Sequence, residues 1–515
     1  LFPQGIEWIL VSLSSLLPLL KHCPSCDRPA TVSSARQQGS ALVVNFNCSR
    51  GCRNASWSSQ PRTTTVSSDR SYSGNTLLIA AMHTVGLRYT TLADFAQTVG
   101  LALFGEVHYH NVLSSLVFPA TKAVFLKKMS IVHNYIRNTV KGALCICTDG
   151  QFCSPGFCAS NCKVTGIEEK TRLCMSLVTK RKDSNMLGTK MLEQRGIRQM
   201  LEELVAQGWN IGVLVSDGCS SIRKMLRESF PTISHRRDLW HVAKKIIKAL
   251  KDISKKRGNE AVRLWRRSIV SHVYSAVEQG GLDVDLIKEH TISILYHISD
   301  IHEFSDARME RVHECLHGEH TDKNKPTIKF GSELHKAVEK ILTDEKTFEA
   351  LSHCTRLMTT SDNEALNSLS LKYTPKRTKN TEKGYENRSM LTVLHYNHLR
   401  MSELQGERRM VGIARVEQAG REEKTTKRKM KGGEEHPWRE SIIMETKEKM
   451  EIALKNKQQF ARTLKLLEAE ECAREEREKE ESEAYLEKCR KWRRTTRRRT
   501  TATTTTEYYT EYFTF

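Results

Sequence analysis

Two aspartates stand where apolar runs stop. The stretch "GALCICTDG" carries Asp149 just before Gly150, and "WNIGVLVSDG" carries Asp217 just before Gly218. A carboxylate at the end of a buried strand projects from a sheet edge. Mg²⁺ takes oxygen ligands and commonly uses one or two carboxylates together with substrate phosphates. Two such ions about 4 Å apart activate a water or hydroxyl and stabilise the leaving oxygen in phosphodiester chemistry. A lone strand-end aspartate more often makes a turn or caps a helix, so the pair has meaning only if the fold brings its members together. Four cysteines point to other chemistry. Cys23-x2-Cys26 and Cys48-x3-Cys52 lie in turn-rich segments, "CPSC" and "CSRGC". Two such pairs can close one tetrahedral thiolate site, and a four-cysteine zinc site is structural because no coordination position stays open.

The elements that must position the aspartates follow from periodicity and breakers. Residues 142–152, "FCASNCKVTG" and "KTRLCMSLVTK" read as three strands, and "TKMLEQRGIRQMLEELVAQG" as an amphipathic helix ending at Gly208. "WNIGVLVSDG" is a fourth strand, "CSSIRKMLRESF" a helix stopped by Pro231, "TISHR" a short fifth strand, and Asp238 opens the next helix. The order β-β-β-α-β-α-β-α is that of the ribonuclease-H-like plan, an α/β mixed sheet in which the first and fourth strands are neighbours. The sequence therefore predicts a zinc-ribbon-like four-cysteine module over 1–65 and a helical domain over 66–141, suited to DNA binding or dimerisation. The mixed-sheet domain follows over 142–400 with a large helical insertion at 252–350, then a long charged helical region over 401–493 and a low-complexity tail over 494–515.

Lys and Arg number 81 against 60 Asp and Glu, a net charge of +21, which favours a polyanionic partner, nucleic acid first. Fifteen scattered cysteines in a long chain of mixed charge do not make a disulfide scaffold; reduced thiols or zinc ligands fit better. The opening "WILVSLSSLLPLL" is shorter than the ~20 apolar residues a bilayer span needs and runs into "CPSC", so it reads as a buried strand or helix beside the zinc module.

The stretch "SDGCSSIRKMLRESFPTISHRRDLWHVAKKIIKAL" resembles the DDE transposases of cut-and-paste DNA transposons. It is most similar to the Kolobok-like group and its THAP-associated relatives, and more distantly to the hAT and Mutator-like enzymes. The similarity extends over residues 10–400, through "GNTLLIAAMHTVG" to "SDNEALNSLSLKYTPKRTKN". It implies a transposase that binds DNA and cleaves and joins phosphodiester bonds with two divalent metals, Mg²⁺ or Mn²⁺, in the nucleus and as a homo-oligomer. Asp149 and Asp217 match the family's first two acids, Asp238 and His241 its D-x-x-H, and Glu364 its late helical glutamate, with Asn367 and Leu371 on the same helix face. The block after the first acid departs from the family pattern: Cys153 stands where a second aspartate is expected, which keeps open a catalytically inactive, transposase-derived DNA-binding protein.

Three further groups are candidates. Cys315 and His317, with His353 and Cys354, could make a second zinc site within the insertion. Lys244, Lys245 and Lys248 follow the D-x-x-H, and Lys376 and Arg377 follow Glu364; both sets could contact DNA phosphates. The usual role of such runs is a solvated charged face.

Overall fold

The computed structural model describes residues 7–53, 55–62, 72–155, 159–182, 190–315, 325–354, 359–417, 425–432, 435–455, 469–471, 473–488 and 490. The low-complexity tail from 494 lies outside them. The chain divides into two units: Leu1–Met82, Arg88–Ala120 and Ile443–Phe515 in one, His83–Leu87 and Thr121–Ile442 in the other.

In the first unit a short helix, α1 (Leu13–Leu16), precedes a three-stranded antiparallel sheet of β1 (Ala30–Gln38), β2 (Ala41–Cys48) and β3 (Ser56–Ser58), in that order. Val44, Phe46 and Ala55 pack with Cys23 into a small core. Gly39, at φ 66°, turns β1 into β2. Asn75, in α2 (Ser73–Val85), pins that turn by accepting from Ser40 N and Oγ and donating to Gln38 O. The apolar opening is not buried as its composition suggests. Ile9 and Leu10 are 76% and 81% exposed, and α1 buries none of its residues. Further helices are α3 (Tyr89–Val99), α4 (Glu106–Val112) and α5 (Phe118–Thr139), the last crossing into the second unit.

The segment 66–141, expected to form one helical domain, is thus divided. From Thr121 onward α5 belongs with the large sheet, and Val132, Ile136 and Val140 share a core with its strands.

That sheet comprises β4 (Leu144–Phe152), β5 (Asn161–Glu168), β6 (Cys174–Arg181), β7 (Ile211–Ser216) and β8 (Ser234–Arg237), in the order β6-β5-β4-β7-β8. Strand β5 runs antiparallel to both β4 and β6, and β4, β7 and β8 run parallel. Strand β5 is buried at every residue, as a strand covered on both faces must be. One face packs Ile146, Val164, Met175 and Leu214 against α6 (Lys190–Ala206) and α7 (Ser220–Ser229). The other packs Ile167 and Cys174 with residues of α5 and of three later helices, described below.

The chain leaves the sheet into α8 (Leu239–Ser254), α9 (Ala261–Gly280), α10 (Val284–His297), α11 (Glu333–Leu342) and α12 (Glu345–Ser352). These enclose a separate core running from Leu239 to Cys354, so the helical insertion is wider than 252–350. Helices α13 (Ser361–Ser370) and α14 (Glu382–Leu404) then return to the sheet. The region 401–493, expected to be charged and helical, contains an antiparallel hairpin, β9 (Met410–Glu417) with β10 (Thr425–Lys431), before α15 (Pro437–Lys455); residues 473–488 are helical as expected. Trp438 anchors the start of α15 in the core beside Tyr373 and His395. No described helix is long and apolar enough to cross a membrane.

Candidate functional site

The β4–β7 register pairs Ile146 with Leu214 and Cys147 with Val215. Continued along both strands, it sets Asp149 beside Asp217, one residue past the end of β7. The two carboxylates repel each other, and Asp149 shows it: burial, then the Asp217 charge, push it up to about 6, with Glu364 adding to the rise. The Gly150 N–H and His241 pull the other way. Asn367, on α13, donates from Nδ2 to Asp149 Oδ2 at 2.7 Å, and His241 Nε2 lies 2.9 Å from Asp217 Oδ1. Asp217 in turn raises the His241 pKa through that hydrogen bond. Each aspartate therefore has one orienting partner supplied by a helix.

A further acid escaped the sequence reading. Glu193, in the first turn of α6, faces Gly150, where an added Cβ would lie 2.7 Å from Glu193 Cγ. The glycine is what allows the approach. Burial, then Asp149 and Asp217, push Glu193 up to about 7. The only sequence signal was a glycine immediately after the strand-end aspartate. Lys163 is the second missed group. It pairs with Gln151 across β4–β5, is fully buried, and burial lowers it to about 7.

Glu364 does lie on a helix docked at this edge, but it is not turned inward with Leu371. Asn363, Leu366 and Ser370 are the buried residues of α13, while Glu364 is exposed and Leu371, past the helix end, is 43% exposed. The reason is polar docking. Asn363 donates to Thr165 O and Oγ1, and Asn367 to Asp149, so amides rather than Glu364 meet the sheet. Asp362 is held by the Arg172 guanidinium through two hydrogen bonds, which makes it an anchor.

Asp238 is buried and its work is structural. One oxygen caps α8 by accepting from Trp240 N; the other accepts from Thr360 N and Oγ1 at the start of α13. It thus ties the helix of His241 to the helix of Asn367 and Glu364. Cys153 lies at the β4–β5 turn, where its N–H donates to Asn161 O and its carbonyl accepts from Arg377 N. Lys244, Lys245 and Lys248 are exposed on α8, with Lys244 Nζ 4.5 Å from the Trp240 ring centre. Lys376 and Arg377 are exposed between α13 and α14.

The four N-terminal cysteines converge as their spacing predicts. Cys23, Cys26, Cys48 and Cys52 place their sulfurs within 4.8 Å of one another, a group that could hold a structural zinc. Asp27, at φ 58°, closes the first turn with its N–H on Cys23 O, and Gly51, at φ 76°, closes the second with its N–H on Cys48 O. N–H groups of Arg50 and Cys52 hold the Cys48 thiol below its usual range. The second cysteine site is not as expected. His317 lies outside the described residues. Cys354 is buried and donates to Ala350 O, and His353 faces Arg223 and Arg236. Cys315 instead meets His297 and His302.

A scan against models of known protein families finds no match to this chain, and a search of curated proteins finds none either.

Proposed function

We propose that the protein is a DNA-cleaving and strand-joining enzyme of the DDE transposase kind, with a ribonuclease-H-like catalytic domain. The observation that carries this is the pair Asp149 and Asp217, side by side on neighbouring parallel strands, Asp149 three residues before the end of β4 and Asp217 one residue past β7, with the Asp217 charge raising Asp149. The strand order β6-β5-β4-β7-β8 supports it, because in that plan the first and fourth strands lie side by side.

The donor set fits a divalent cation. Oxygen ligands of like charge, held close and desolvated, are costly until a cation sits among them. Asp149 and Asp217 would hold the ion, with Glu193 or Glu364 completing the set. When bound, Mg²⁺ or Mn²⁺ would supply an activated water or hydroxyl and charge stabilisation at the leaving oxygen. The chain's own part is orientation. Asn367 fixes the Asp149 carboxylate, His241 fixes Asp217, and Asp238 fixes the two helices that carry those partners. The exposed lysines of α8, together with Lys376 and Arg377, would neutralise DNA phosphates beside the acids. Cys153 keeps the inactive alternative open; its sulfur accepts from Asn161 N and lies 3.6 Å from Ser160 Oγ in the turn after β4. DNA transactions of this kind put the protein in the nucleus, and homo-oligomerisation would let it hold two DNA ends together.

The test is nicking of duplex DNA by the full chain in Mn²⁺ or Mg²⁺, compared with Asp149→Asn. Metal-dependent nicking abolished by the substitution supports the reading. DNA binding without nicking in either ion would instead leave a transposase-derived binding protein, and failure to bind DNA would end both.

A further inference from the structure

We propose that His297, His302 and Cys315 form a second zinc site, built into the insertion and independent of the acid site. One ligand atom from each lies within 4.8 Å of the others. The geometry comes from how α10 ends. Asp300 N–H donates to His297 O at 3.1 Å, and Ile301 N–H to Tyr296 O at 3.0 Å. Asp300 itself sits at φ 62°, a left-handed conformation that non-glycine residues seldom adopt and that aspartate tolerates better than most. This reversal folds the chain back so that the His302 ring stands edge-on to His297, with centroids 5.3 Å apart.

A short antiparallel pairing then delivers the sulfur. Phe304 N–H donates to His313 O, and Cys315 N–H to His302 O, which sets Cys315 beside His302. Cys315 Sγ lies 3.7 Å from His297 Nδ1. Trp265 walls the other side, its ring perpendicular to that of His297.

The chemistry selects the metal. Two imidazoles and a thiolate are zinc ligands rather than magnesium ligands. The outer shell is also present: Asp300 Oδ1 lies 3.2 Å from His302 Nε2. A carboxylate on the far nitrogen is how metal-bound histidines are oriented, and here it assigns ligation to Nδ1. Three protein ligands leave one tetrahedral position to water. The segment 301–315 has no helix of its own and only an isolated strand bridge, Glu303 with Glu314. A metal would staple it to the end of α10.

The experiment is zinc content per folded full-length chain after dialysis, followed by cobalt substitution. Cys315→Ser and His302→Ala should each bind one zinc fewer than the unsubstituted chain, with circular dichroism otherwise retained. With both sites of the otherwise unsubstituted chain loaded with cobalt, Cys315→Ser should release one cobalt ion and lower, without abolishing, the sulfur-to-cobalt charge-transfer band, the remainder coming from the four N-terminal cysteines. If either ligand substitution prevents folding, Asp300→Asn serves instead. It keeps the left-handed turn and should weaken zinc retention about 10–100-fold. Zinc content unchanged by Cys315→Ser, or zinc retention unchanged by Asp300→Asn, would overturn the proposal.

Discussion

The cysteine module and the acid site solve opposite problems. The four cysteines come from two tight turns close in sequence, and their sulfurs already meet, with Cys26 and Cys48 3.5 Å apart. The acids come from two strands and two helices far apart in the chain, and among the described residues they do not converge to within 4.8 Å. Thiols can be neutral neighbours. Carboxylates repel, so Asp149 and Asp217 are each held by a partner on a helix, and burial pushes Asp149 and Glu193 up to about 6 and about 7. On the proposed reading, zinc would be part of the fold in the first region and a divalent cation part of the chemistry in the second.

The largest effect should come from removing a single acid. Asp149→Asn or Asp217→Asn should cut DNA nicking about a thousandfold, since a divalent ion supplies several kcal/mol at the transition state. Affinity for DNA should stay nearly unchanged, because phosphate binding is spread over many cations. Equal loss of binding and nicking would break the contrast. Comparing Glu193→Gln with Glu364→Gln sharpens it: the true ligand should match the aspartate variants and the other should lose far less. Next in size is chelation. Removing zinc should abolish amide protection in β1–β3 while that of β4–β7 persists, measured by hydrogen exchange. Loss in both regions together would mean that the module is not separately held.

A smaller effect is expected at Asp238. Its buried carboxylate serves a helix cap and two bonds to Thr360. Asp238→Ala should cost about 2–4 kcal/mol in chemical denaturation, by losing the cap and leaving Thr360 unmatched. Stability unchanged by the substitution would remove its linking role. The smallest is a pH dependence. Asp149 and Glu193 are raised to about 6 and about 7 in the folded state, above their unfolded values. The folded protein therefore binds more protons between about pH 4 and 7, and metal-free stability should fall as pH rises through that window. Mn²⁺ should flatten the fall, and Glu193→Gln should shrink it; a urea midpoint that rises over the same range would contradict the assignment.

Much of the sheet was legible because its signals are local. The apolar run that stops at Asp217, the glycine after α6 and the proline after α7 mark their elements within a residue or two, whereas β4 runs past Asp149 to Phe152 because its ladder with β5 continues there. Glu193 was hidden because its burial depends on a glycine in another element, and nothing in an amphipathic helix distinguishes such an acid from a solvated one. Glu364 lies on the expected helix near enough to raise Asp149, but it is exposed, because helix periodicity does not say that asparagines will make the docking face. The second histidine and cysteine cluster was sought at the close spacing of Cys315 and His317. Its members instead meet only after a left-handed turn at Asp300, which breaks helical spacing. The basic stretch "TTKRKMK" falls in the region expected to be charged and helical, yet it is β10, defined by its pairing with β9.

The insertion begins and ends at one place. Arg237 N–H donates to His353 O, Arg237 bridges to Cys354, and Asp238 grips Thr360, so the chain departs and returns through a single hydrogen-bonded neck. The excursion between carries its own apolar core. Entropy makes such a closed excursion cheap to resize, since doubling a loop costs only about 0.6 kcal/mol. The neck thus separates the length of the excursion from the registry of β4, β7 and α13, with α8 the part of it that must stay because it carries His241.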